Sequence, residues 1–178
     1  MKTSTRAIVA SLALLFGSAA SAQNPCPNPR PIRNICMYVG DMSEDDGRPV
    51  KWRYGYQRKF FEAACVDVDK DSREVRAQKI RQLWQQEEGR LICNNVQFDV
   101  GNGSILKYAA IVNFDAFISD AIEWGVNLNK VDVGDGRTLL DYIEYHMGRV
   151  RGGALEKKLK VYYDDLRKAG AKHRRELP

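Results

Sequence analysis

Histidine is scarce in this chain: its 178 residues hold two, His146 and His173. Neither sits in an H-E-x-x-H or comparable ligand spacing, and Asp141 lies five residues before His146, off its helical face. No G-x-S-x-G elbow or phosphate-cradling glycine loop occurs, and no C-x-x-C pair marks a thiolate zinc site. Long apolar runs are missing too. The longest, residues 8–16 (IVASLALLF), is too short to span a bilayer. With 44% hydrophobic and 29% charged residues the chain has the balance of one folded domain. A multidomain enzyme, a polytopic membrane protein and a low-complexity tail are excluded.

What is present begins with a targeting signal. Lys2 and Arg6 precede the apolar run, and Ala20-Ser21-Ala22 follows with the small-x-small pattern of a signal-peptidase site. Residues 1–22 therefore read as a cleaved signal peptide, with a mature chain from Gln23 that is periplasmic or secreted and not stably inserted in a membrane. All four cysteines, Cys26, Cys36, Cys65 and Cys93, lie in the exported part. An even count in an oxidising compartment predicts two disulfides. Three pairings are open, and Cys26–Cys36 with Cys65–Cys93 is favoured because near pairs close most easily.

Removing Lys2 and Arg6 from the 28 basic residues leaves 26 against 23 acidic ones. The excess gathers after residue 149, where a solvated basic helix face is expected. An envelope location argues against nucleic acid as the ligand. Residues 23–53, rich in Pro, Asn and Asp, read as an irregular disulfide-tethered arm. Residues 54–178 read as a helical domain. Tyr56, Phe60, Ala63 and Ala64 form one apolar stripe, and Ala77, Ile80, Leu83 and Trp84 a second. Asp71 followed by Glu74 reads as a capping box. Further helices are expected over 105–112, 114–124, from 139 and from 155, with no strands.

A self-comparison adds order. Gly103-Ser104-Ile105-Leu106-Lys107-Tyr108-Ala109 aligns with Arg137-Thr138-Leu139-Leu140-Asp141-Tyr142-Ile143 at an offset of 34. Gly125 and Gly170 close the second helix of each unit at an offset of 45, which requires an insertion near 148–158. Over residues 90–175 the chain resembles the ankyrin-repeat family. Ser104 and Thr138 stand at helix caps, and Gly125 and Gly170 at left-handed helix ends. The family's T-P-L-H is S-I-L-K at 104–107 and T-L-L-D at 138–141, so Pro and His are absent from both. The resemblance implies an all-α, short solenoid of helix pairs, with residues 54–86 as an atypical N-terminal cap.

No catalytic constellation emerges, and no cofactor or metal is expected. Asp67-x-Asp69-x-Asp71 resembles the start of a calcium loop, but Ser72 and Gln78 stand where glycine and a bidentate glutamate are needed. An acidic interhelical loop is the simpler reading. Trp52, Tyr54, Tyr56, Tyr142, Tyr145, Tyr162 and Tyr163 read mainly as packing residues, with some as interface anchors. His173 is expected in a frayed basic tail. The resemblance implies a concave face of hairpin tips and inner helices that binds protein, placing contacts at Asn102, Lys107, Asp135, Arg137, Asp141 and Tyr145. Fold and compartment together suggest an immunity or inhibitor protein that blocks a toxin or hydrolase in the bacterial envelope, with the acidic loop 43–46 (SEDD) as a further contact. The alternatives are an envelope hydrolase using scattered carboxylates and a calcium-stabilised structural protein.

Overall fold

The computed structural model describes residue 26 and residues 31–39, 54–93 and 103–178. The signal-peptide assignment, the acidic loop 43–46, Trp52 and Asn102 fall outside these residues. Six α-helices follow one another within them: α1 (Gly55–Ala63), α2 (Arg73–Glu87), α3 (Ile105–Ile111), α4 (Asp115–Trp124), α5 (Leu139–Arg149) and α6 (Ala154–Lys168). A two-residue pairing joins β1 (Ile92–Cys93) antiparallel to β2 (Gly103–Ser104), with Ile92 opposite Ser104. No helix among the described residues is long and apolar enough to cross a membrane.

The helices pack as consecutive pairs. α1 lies on α2, α3 on α4 and α5 on α6, while α2 touches α4 and α3 touches α5. Apolar stripes explain the order. Tyr56 and Phe60 of α1, Trp84 of α2, and Phe117 and Trp124 of α4 share one aromatic cluster with ring centroids 5–7 Å apart. Ala109, Ala110 and Ala121 are buried with almost no exposed surface. Their small side chains let α3 and α4 approach closely, while a left-handed Asn113 turns the chain between them.

Helix ends follow from single residues. Gly125 and Gly170 both take positive φ, 64° and 93°, and close α4 and α6. Thr138 caps α5, its hydroxyl accepting the Asp141 N–H while the Asp141 carboxylate accepts the Thr138 N–H and hydroxyl. Ser104 makes no side-chain cap to α3; its N–H is instead accepted by Asp132 Oδ2 at 2.9 Å. The α2 cap is Ser72 rather than Asp71, with Ser72 Oγ accepting the Val75 N–H. Asp71 is engaged elsewhere, by the Asp67 N–H and by Lys79 Nζ at 2.7 Å. Lys79 thus already occupies one carboxylate oxygen of that loop.

The disulfides differ from the sequence-near pairing. They are Cys26–Cys65 and Cys36–Cys93, with Cα atoms 5.4 and 5.6 Å apart. The arm is not tied to itself; it is strapped to the end of α1 and to β1. Apolar residues decide this arrangement, because Ile32, Ile35 and Val39 bury themselves in the same core as the helices. Tyr38 covers Gly55, where a Cβ would stand 2.9 Å from its ring. Two disulfides are compatible with an extracellular or periplasmic location.

Candidate interaction site

The sequence-predicted contacts on described residues fall in one region, where the turn at 132–137 meets α3 and α5, but they play different parts. Lys107 is 1% exposed and points inward. Its ammonium lies 2.8 Å from both Asp132 Oδ2 and Asp135 Oδ1, and 3.0 Å from the Arg137 carbonyl. Three acceptors for three N–H donors make this amine a staple between α3 and the turn. It is withdrawn from the surface on which the expectation placed it. The concave face implied by the resemblance placed the lysine at the surface, whereas the following loop folds back over it. Asp135 is partly committed as well, since it also accepts the Arg137 N–H.

Asp141 is turned inward by the segment that follows α6. Its Oδ1 lies 2.8 Å from Nδ1 of His173, and its Oδ2 accepts the Arg174 N–H at 2.9 Å as well as the Thr138 groups. Burial acts to raise this carboxyl, but the Arg174 N–H, the His173 ring and Thr138 outweigh it and hold its pKa down at about 2. His173 is 3% exposed, its Nε2 lying 2.9 Å from the Tyr163 hydroxyl. The C-terminal segment is therefore docked rather than frayed. Glu176 reinforces it by accepting from Arg167 at 2.6 Å.

Arg137 and Tyr145 stay near the surface and join a residue that the sequence did not single out. The Arg137 guanidinium stacks 4.0 Å from the Tyr145 ring centroid. Arg149 approaches the same ring at 5.2 Å and donates to its hydroxyl. The spacing of Tyr145 and Arg149, four residues on one helix, was the available signal. No carboxylate of the described residues forms an ion pair with either guanidinium. The Tyr145 ring holds both cations while leaving further guanidinium N–H groups for an acceptor.

Elsewhere the surface offers less. A shallow hollow between Trp84, Leu106 and Leu128, with room for about 10 Å3, contains none of the predicted contacts. Among the described residues, Asp120 has its carboxyl held above the ordinary value, mainly by burial and further by Glu123. It accepts from Tyr56 Oη at 2.6 Å and Gln57 Nε2 at 2.7 Å, and it lies away from that hollow. No protein-family model, curated protein or solved structure matches this chain.

Proposed function

We infer that the chain is an exported, non-catalytic protein-binding module, built as a short ankyrin-like solenoid, that neutralises or scaffolds a partner in the bacterial envelope by occlusion. The observation that carries this reading is the Arg137–Tyr145–Arg149 stack. It places two guanidiniums, which no carboxylate of the described residues pairs, on α5 and the turn before it. Desolvating an arginine against a matching carboxylate is a strong source of interface energy, and Tyr and Arg are the residue types that concentrate it. The platform beneath is rigid, because Lys107 and Asp141 tie the neighbouring loops to the inner helices. An occluding surface needs such rigidity more than it needs a pocket.

The test is capture from envelope and secreted fractions with the oxidised chain and with an Arg137→Ala/Arg149→Ala variant. The expected result is one stoichiometric partner whose activity falls on binding and which the variant loses. Failure to retain any partner, or equal retention by the variant, overturns the reading.

A further inference from the structure

Asp141, Glu144 and His173 place an imidazole nitrogen and two carboxylate oxygens within 4.8 Å of one another. We propose that these three residues bind a first-row divalent metal ion of the zinc type, which clamps the segment after α6 onto α5.

The argument starts from a residue out of place. Val126 and Leu128, after Gly125, correspond to Ala171 and His173, after Gly170, at the same offset of 45. Val126, Leu128 and Ala171 are buried apolar residues; the fourth position holds an imidazole, equally buried. A buried imidazole needs a partner at both nitrogens, and His173 has Asp141 Oδ1 at Nδ1 and the Tyr163 hydroxyl at Nε2. Nε2 faces the Tyr163 hydroxyl, which can accept its proton as readily as donate one. The ring can thus present Nδ1 as a bare lone pair with no loss at its other side, the usual outer support of a ligating histidine.

Asp141 is prepared in the same way. Thr138 and Arg174 donors hold Oδ2, so Oδ1 is the oxygen aimed at Nδ1, 2.8 Å away. Glu144, one helical turn on, brings Oε2 to 3.9 Å from the same nitrogen. Its side chain is 58% exposed, so it can swing inward while the ion enters from solvent. One imidazole and two carboxylates suit zinc, cobalt or manganese better than a hard all-oxygen ion. All four cysteines are in disulfides, so thiolate does not compete. Three protein ligands leave a coordination position for water. Glu144 adjoins Tyr145 of the Arg137–Tyr145–Arg149 stack on α5, but metal uptake is read without a partner, so this proposal and the partner-binding reading fail separately.

The experiment uses the tag-free, oxidised chain with Zn2+ in equilibrium dialysis, Co2+ in visible absorption, and Zn2+ or Mg2+ in thermal melts. The expected outcome is one Zn2+ per chain, a structured d–d band with Co2+, and a melting temperature raised by Zn2+ but not by Mg2+. Glu144→Gln, at an exposed position, is expected to melt like the parent without metal yet bind Zn2+ on the order of tenfold more weakly or worse. His173→Asn should abolish the cobalt band. No stoichiometric uptake at up to millimolar Zn2+, or unchanged affinity in Glu144→Gln, overturns the proposal.

Discussion

Lys107 shows how one side chain can specify the relation between two elements. Its ammonium and the Asp132 carboxylate are almost completely out of water, at 1% and 4% exposure. Such a pair gains little over a well-packed apolar pair, but removing one partner leaves a buried charge behind. Lys107→Ala is therefore expected to cost about 3–5 kcal/mol in urea unfolding. Lys107→Met with Asp132→Asn should cost clearly less, although it deletes the same ion pair. Asp120 gives the opposite lesson. Burial holds its carboxyl above the ordinary value of about 4, at which the unfolded chain titrates. The stability linked to this proton is complete below about pH 4 and fades as pH rises through the folded value. Asp120→Asn keeps an oxygen for Tyr56 and Gln57 while removing the charge. Its unfolding midpoint should rise relative to the parent between pH 4 and pH 7, and a constant difference across that range would contradict the assignment.

At the scale of elements, the offset of 34 is realised in the helix starts: α3 begins at Ile105 and α5 at Leu139. Corresponding residues Leu106 and Leu140 are 3% and 0% exposed. Leu140→Asp should thus lose on the order of 4–5 kcal/mol or more, and the helical circular dichroism with it. Val133→Asp, at the fully exposed tip of the turn, should change the midpoint little. Apolar periodicity made most of the helices legible from a core face repeated within each segment, and α3, buried on nearly all sides, from its short apolar run. The polar contacts were not legible, since each depends on what another element brings. Lys107 and Asp141 occupy the same place in α3 and α5, and each reaches the loop after its own unit. One meets carboxylates at 132 and 135, the other an imidazole at 173. Asp71 and Ser72 were rivals for one cap, and Asp71 is engaged instead by Lys79, about two turns on. Of the predicted surface, Arg137 and Tyr145 remain available, whereas Lys107 is withdrawn.

Over the whole molecule the two disulfides set how far the unfolded chain can spread. Short-range pairing would have closed loops of 10 and 28 residues, from 26 to 36 and from 65 to 93. The pairs formed close 39 and 57 residues instead. On the chain-entropy account each of these restricts the unfolded state by about 4 kcal/mol, and the two together by about 2 kcal/mol more than the short-range alternative. Ease of closure and gain in stability thus point to different pairings. The buried Ile32, Ile35 and Val39 side with the second, because they seat the arm on the helices and bring Cys26 and Cys36 to Cys65 and Cys93. Non-reducing proteolysis should accordingly release peptides joined as Cys26–Cys65 and Cys36–Cys93. Cys36→Ser with Cys93→Ser should lower stability by about 4 kcal/mol while leaving the helical signal of the folded state. Recovery of Cys26–Cys36 peptides from native protein would mean that the arm folds by itself. The contacts of Tyr38 with Gly55, and of β1 with the arm, would then have to be abandoned.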